Sequence, residues 1–363
     1  MGLEIRIASW KSRQKFVSKF ELINQLPELR KIEWIADAPA DSLQAVIERL
    51  DKSYQKFFKG GGFPKWAGRR KYNSMLFKRA TLESNKIKLP KIGLLKMFKD
   101  SEIPGNIKTV TIKKELTGYF AYIVTDAVKE ISRPIGENQA VGIDMGISSF
   151  CVTSDGHVVE NPRHFKKYER KLRIEGRSLS RKKKGSSRWK KQARKLGLLH
   201  HKIGNVRKDF LHKESTKLAA KYSTVYLEDL KVGNMSRKAK PQQDESGAFI
   251  PNGQSAKSGL NRSILDAGWG MYREMLEYKI TVETVNPKHT SQECFICGHI
   301  SPDNRKSQSV FECTNCGHSD HADSNASKVI KGRGTAHSRE RKSLDYALAV
   351  EPSFGYVSNP RRR

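Results

Sequence analysis

The sequence predicts a multi-domain α/β protein, on three observations. Apolar segments of strand length run into carboxylates at Asp144 and Glu228. A long, basic, helical stretch separates them, and further helix and strand patterns follow. Two Cys-x-x-Cys pairs, Cys294/Cys297 and Cys313/Cys316, mark a small metal-held module late in the chain. A helical segment and a small β-domain precede the α/β core.

Residues 1–60 read as helical. Leu43, Val46, Ile47, Leu50, Tyr54, Phe57 and Phe58 fall at helix spacing and make one apolar face. Asp41 and Gln44 stand three apart in a capping-box arrangement, and Gly60-Gly61-Gly62 stops the helix. The aromatic stripe reads as core rather than as a platform for stacking bases. Residues 61–137 shift to short alternating segments such as Lys86–Leu89 and Val110–Ile112, which make a β-rich domain. Tyr119–Val124 reads as a buried strand of that domain, and Ile131–Asn138, with Pro134 and Gly136, as a linker.

The core is expected over residues 138–286. Ala140–Asp144, Ser149–Ser154 and Val158–Glu160 read as strands, with Asp155-Gly156 as a hairpin turn. Cys151, in an apolar run, reads as an ordinary buried cysteine. Thr224–Leu227 and Ile280–Val285 are two more strands, residues 231–258 a mobile polar loop, and Ser263–Lys279 a helix. The cysteine module spans 287–319. A short helix is read from Asp323 within residues 320–333, and the basic tail 334–363 reads as poorly ordered.

Charge restricts the function class. The 363 residues carry 69 Lys and Arg against 38 Asp and Glu, a net charge of +31. Such a chain repels itself, and a polyanion is the usual reason to tolerate that. Phosphate backbones fit best, because neutralised phosphates release counterions. Residues 161–220 hold 21 Lys/Arg and 4 Asp/Glu, more than half of the net charge. A one-signed helix of this kind favours a phosphate-binding face. Nucleic-acid contact is therefore expected from Lys166, Lys167, Arg170, Arg177, Arg181, Lys182, Lys183, Lys184, Arg188, Lys190, Lys191, Arg194 and Arg207. No run approaches the ~20 apolar residues that span a bilayer, and the N-terminus lacks a signal-peptide core. The expected location is the cytoplasm or the nucleoid, with no membrane partner.

In a reducing compartment two Cys-x-x-Cys pairs read as metal ligands, not disulfides. Cys294, Cys297, Cys313 and Cys316 can surround one zinc tetrahedrally, which leaves no open coordination position, so the zinc is structural. His299 and His318 are near but not needed. Elsewhere, Val141-Gly142-Ile143-Asp144-Met145-Gly146 delivers an acid near a strand end, with Gly146 keeping the approach open. Val225-Tyr226-Leu227-Glu228 does the same, and Asp323 opens a helix, where taken alone an N-cap role stands level with a ligand role. As a set, three separated acids in a very basic chain can hold one or two divalent cations. Mg²⁺ or Mn²⁺ there would activate water against a phosphodiester.

The order Gly142-Ile143-Asp144-x-Gly146, then strand-Glu228-Asp229-Leu230, then the two cysteine knuckles, then Asp323-x-Asn325-Ala326 closely resembles the TnpB family. These are the insertion-sequence OrfB proteins with a zinc ribbon, related to type V CRISPR effector nucleases. Asn205–Lys213 and Pro287-x-x-Thr290-Ser291-Gln292 agree with it, and the resemblance covers roughly residues 40–335. It implies an RNase H-like, RuvC-type core with the zinc ribbon inserted before the last catalytic segment. It implies that Asp144, Glu228 and Asp323 are catalytic, and that an RNA from the element's end guides cleavage of DNA beside a short flanking motif. The family pattern usually opens on a strand with a Tyr-Pro-like segment. This chain starts Met1-Gly2-Leu3-Glu4-Ile5 and departs there, in a region tied to guide and motif binding, with the three acids intact. Two alternatives use the same residues: a transposase joining DNA ends, or a non-cleaving RNA-guided DNA-binding protein.

Overall fold

A computed structural model describes residues 2–68, 72–99, 101–127 and 139–349, with side chains as far as residue 336. The chain divides into two compact units, Met1–Glu130 and Ile131–Arg363. The expected linker Ile131–Asn138 lies outside the described residues. No described helix is long and apolar enough to cross a membrane.

The first unit begins with helices α1 (Gly2–Arg13), α2 (Lys19–Asn24), α3 (Leu26–Leu29), α4 (Glu33–Ala36) and α5 (Ala40–Phe58). Leu22, Leu26 and Ile47 are buried together among them. The capping box is not where the sequence suggested. Ser18 and Glu21 form it at α2, each side chain bonded to the other's backbone N–H, at 3.2 and 2.8 Å. Asp41 is buried and accepts instead from the backbone N–H groups of Lys78 and Arg79, which ties α5 to the end of the first strand. The aromatic stripe is core only at Tyr54, since Phe58 is largely exposed.

The β-rich part holds two antiparallel sheets. One orders β1 (Ser74–Phe77), β5 (Ile107–Lys114) and β6 (Tyr119–Thr125) as β1-β5-β6; the other is β2 (Thr81–Glu83), β3 (Lys86–Leu89) and β4 (Gly93–Lys96) in chain order. Phe77, Ile87, Leu89 and Val110 form their common core. Here β6 corrects the sequence reading. It is an edge strand, and Tyr119, Phe120, Tyr122 and Val124 all stand at the surface. A hydrophobic run alone does not distinguish a buried strand from an edge one.

The second unit is built on a five-stranded sheet of β7 (Ala140–Met145), β8 (Ser149–Thr153), β9 (Val158–Glu160), β10 (Thr224–Glu228) and β13 (Thr281–Val285), in the order β13-β10-β7-β8-β9. The first three make an antiparallel meander, turned at Gly156, while β10 and β13 run parallel to β7. Long helices α6 (His164–Ser180) and α7 (Ser187–Lys221) fill the crossover from β9 to β10. Between β10 and β13 come α8 (Val232–Met235), a small hairpin of β11 (Gln242–Gln243) and β12 (Phe249–Ile250), then α9 (Gln254–Ala267) and α10 (Trp269–Glu277). The stretch expected as a loop is thus partly ordered. The single helix expected after it is two, broken at Gly268 in the left-handed region (φ 74°). Strands β14 (Val310–Glu312) and β15 (Ser319–His321) lie in the cysteine module, and α11 (Ala322–Ala349) follows, far longer than expected.

The two faces of the sheet bury different partners. Side chains alternate along a strand, so Val141, Ile143 and Met145 share one face with Val225 and Leu227. They pack with Leu211 and Leu218 of α7 and with Trp269, Tyr272 and Leu276 of α10; Cys151 is fully buried in the same core, as expected. The opposite face carries Gly142, Asp144, Tyr226 and Glu228, and α11 covers it. Tyr226, Val285 and Ile330 are buried together there. The approach is very close. A Cβ on Gly142 would lie 2.2 Å from the Ser327 carbonyl oxygen and 2.5 Å from the Lys331 nitrogen. Both are backbone atoms of a packed helix, so neither can swing aside. Gly142→Val should therefore lower stability to urea by about 3 kcal/mol or more, at the upper end for overpacking. An unchanged urea midpoint would mean that α11 does not rest on β7.

Candidate active site and cysteine centre

The three candidate acids come from three elements that meet at one end of the sheet. The parallel register pairs Leu227 with Ile143. One step further puts Glu228 abreast of Asp144, on the α11 face, with strands about 4.8 Å apart. Asp323 lies in the first turn of α11, which the Gly142 contact seats over β7. Both Glu228 and Asp323 are close enough for their charges to act on Asp144. Asp144 keeps some surface open to solvent but is densely surrounded by protein. That desolvation first, and then the charges of Glu228 and Asp323, push its carboxyl up to about 7. Burial also raises Glu228.

Three further side chains steady the cluster, and the sequence reading assigned none of them a role. Thr290, itself buried, donates its hydroxyl to Glu228 Oε1. Arg305, from the cysteine module, sets its Nη2 3.5 Å from Asp323 Oδ1, and its charge holds Asp144 down against the two acids. Arg333 of α11 pairs with Glu293, donates to the carbonyls of Asn286 and Lys288 at 2.9 and 2.8 Å, and lowers Glu228. Thr290 stood inside a quoted motif, whereas two arginines in so basic a chain carry no local signal. Gly146 donates its N–H to the Phe150 carbonyl at 3.1 Å in the β7–β8 turn, and the glycine on which another element closes down is Gly142.

The four cysteine sulfurs lie within 4.8 Å of one another. Cys294 to Cys316 is 3.7 Å and Cys297 to Cys313 is 3.6 Å. Tetrahedral zinc with bonds of about 2.3 Å needs sulfurs about 3.8 Å apart, so the set fits. The knuckles repeat one geometry. The N–H groups of Cys294 and Cys313 bond the carbonyls of His299 and His318, at 2.9 and 2.8 Å. Those of Gly298 and Gly317, both left-handed, return to the carbonyls of Cys294 and Cys313, at 2.8 and 3.0 Å. The histidines thus serve through their backbone. Among the described residues no other group of three His, Cys, Asp or Glu draws so close, and the carboxylates stand wider apart.

The basic residues form an exposed arm. Lys166, Lys167, Arg170 and Arg177 lie on α6, Arg181 at its end, Lys183 and Lys184 in the turn, and Arg188, Lys190, Lys191 and Arg194 on α7, all exposed. Lys182 is half-buried and donates to Ser178. Arg207 is the correction. Its Nη2 binds Asp266 Oδ1 at 2.7 Å, and Asp266 also accepts from the N–H of Phe165, so this arginine joins α7, α9 and α6 instead of facing phosphate.

Comparison with known proteins agrees with this architecture. The sequence profile of OrfB from IS605 elements, described as "Probable transposase", matches residues 122–239, and the "Cas12f1-like, TNB domain" profile matches 269–330. "Putative RNA-guided DNA endonuclease InsQ" of Escherichia coli K12 is 37% identical over 314 residues, 84% of this chain and 77% of that one. A "Putative RNA-guided DNA endonuclease" of Streptomyces pristinaespiralis is 30% identical over 363 residues, 93% and 83% of the two chains. "CRISPR-associated endodeoxyribonuclease Cas12f1" of Syntrophomonas palmitatica is 26% identical over 57% of this chain and 41% of its own. With a relative this similar along most of both sequences, and with the acid, knuckle and acid order in place, the chain belongs to the TnpB family, the insertion-sequence OrfB proteins with a zinc ribbon.

Proposed function

We propose that this chain is a transposon-encoded, RNA-guided DNA endonuclease. In this reading the five-stranded sheet with α11 is an RNase H-like, RuvC-type core, and Asp144, Glu228 and Asp323 hold two divalent cations, Mg²⁺ or Mn²⁺. The convergence of three acids from β7, β10 and α11, in a chain of net charge +31, carries the proposal. The names borne by the relatives support the guided activity. When bound, the cations supply an activated water and stabilise the leaving oxygen. Thr290 holds Glu228 in place, Arg305 offers positive charge beside Asp323, and the arm of α6 and α7 grips phosphates. Base pairing with the guide then reads the target, as in related effectors. The cysteines hold a structural zinc.

The direct test uses protein purified with RNA from its own locus and a plasmid library matching the guide. Cutting should require guide, Mg²⁺ and each acid, with Asp144→Ala and Asp323→Ala at least about a thousandfold slower and RNA binding retained. Guided binding without cutting would favour a repressor, and joined element ends would favour a transposase, the activity named by the matched profile. Replacing Lys183 and Lys184 should weaken nucleic-acid binding across sequences and lower the salt slope by about one per lost phosphate contact. An unchanged slope would remove the arm from the interface.

The carboxylate cluster also predicts a pH signature. Asp144, raised to about 7 in the fold, gives up its proton near 3.8 when unfolded. Its contribution to the stability of metal-free protein is therefore full below pH 4 and lost as pH rises through 7. Over that span the change is at most about 4 kcal/mol. Asp144→Asn should flatten that loss. Mg²⁺ added at pH 6.5 should release protons from wild type, read by calorimetry in buffers of different ionisation enthalpy, and fewer from the variant. Equal release from both would reject Asp144 as the titrating ligand.

A further inference from the structure

We propose that Asn325 is a positioning residue that locks Asp323 to the first cysteine knuckle, so that zinc occupancy sets how tightly the carboxylate site binds a divalent cation. The inference rests on the reading of Asp323 as a cation ligand.

Asn325 is fully buried, two residues after Asp323 in the first turn of α11. Its Oδ1 accepts from the N–H of Phe295 at 3.1 Å, and its Nδ2 donates to the carbonyl of Glu293 at 2.7 Å. Those two groups flank Cys294, itself buried. One amide thus reads the backbone on both sides of a sulfur ligand. The pairing is demanding, since it needs one donor and one acceptor at the same reach. Aspartate in its place would set an oxygen against the Glu293 carbonyl.

The same face of α11 grips the knuckle again further along. The ammonium of Lys328 lies 5.3 Å from the centre of the Phe295 ring, and Arg333 pairs with the Glu293 carboxylate. Spacings of three and eight residues keep these side chains with Asn325 on one side of the helix. From the other side, Ser327 and Lys331 rest on Gly142. The first turn of a helix has no intrahelical partners for its N–H groups and frays most readily. Asp323 sits in that turn, so its place depends on what clamps it. The sheet supplies one jaw. The knuckle supplies the other, and the knuckle keeps its shape through the metal its four sulfurs fit.

The test uses the full chain with its guide RNA, in wild type, Asn325→Asp and Asp323→Ala. Four quantities are read: zinc content, thermal melting, Mn²⁺ affinity by electron paramagnetic resonance, and the Mg²⁺ dependence of cleavage. Asn325→Asp should keep its zinc and its fold, bind Mn²⁺ ten- to a hundredfold more weakly, and need correspondingly more Mg²⁺ for half-maximal cleavage, the scale of outer-shell effects at metal sites. Chelation of zinc from wild type should weaken Mn²⁺ binding by a similar factor while far-UV dichroism of the core persists. Mn²⁺ affinity within twofold of wild type in zinc-loaded Asn325→Asp, or in zinc-stripped wild type, overturns the proposal. Should Asn325→Asp fail to fold, the zinc-stripped arm decides alone. Asp323→Ala separates the two ideas: full Mn²⁺ affinity there rejects Asp323 as a ligand, whatever Asn325 does.

Discussion

The site depends on one close contact, the backbone of α11 lying on β7 at Gly142. Any side chain at that position would lift the helix from the sheet. Only with the helix down does the turn bearing Asp323 reach the strand ends bearing Asp144 and Glu228. The contact also explains why the two faces of the sheet differ. One is an ordinary apolar face filled by α7 and α10. The other has a glycine, a tyrosine and two acids, and it exchanges apolar burial for proximity to α11. Residues that pack poorly in a core are tolerated there because that face builds the site.

The second constraint is charge. Three carboxylates at one sheet end repel one another, and the chain's large positive charge does little to relieve them, because it is spread over the exposed arm of α6 and α7. Relief comes from short range: Thr290 on Glu228, Arg305 beside Asp323, and Arg333 acting on Glu228. It is incomplete, and with burial as the larger cause Asp144 remains raised to about 7. A cluster that holds a proton so tightly has a strong drive to exchange it for a divalent cation, which the proposed chemistry uses. The exposed basic charge of α6 and α7 and the carboxylates of the cluster thus sit on different elements.

Much of this was legible in the sequence because it is local. Apolar strand runs, the Asp155-Gly156 turn, the one-signed helices and the paired knuckles each declare themselves within one contiguous stretch of sequence. The misreadings are of two physical kinds. Asp41, Arg207 and the β6 aromatics were placed by residue type, yet what each does is set far along the chain: by the backbone at Lys78, by Asp266, and by the place of β6 at the edge of its sheet among the described residues. Arg305 was silent, and Thr290 and Asn325 stood in motifs without an assigned role, for the same reason. A hydroxyl, a guanidinium and an amide acquire meaning only when a carboxylate or a backbone pair is brought to them. Gly142 is the intermediate case. It stands inside a quoted motif, but a glycine in a strand can signal a bulge, a ligand or a helix, and only packing chose the helix.

Placing a cysteine module immediately before the last acid follows from the same reasoning. A helix that starts with a functional carboxylate needs a rigid object at its N-terminus, and a module of some thirty residues has too small a hydrophobic core to be rigid alone. Its buried cluster is Cys294, Phe311, Cys313 and Ala322, two of them from the four-cysteine set. Metal coordination by those sulfurs would supply what burial cannot, and donor chemistry would keep the two proposed sites distinct. Four thiolates select zinc, whereas carboxylate oxygens suit Mg²⁺ or Mn²⁺. The last member of that cluster, Ala322, is also the first residue of α11. The small core of the knuckles and the start of the helix are therefore one packed object, so the position of Asp323 cannot be set independently of the shape the sulfurs hold.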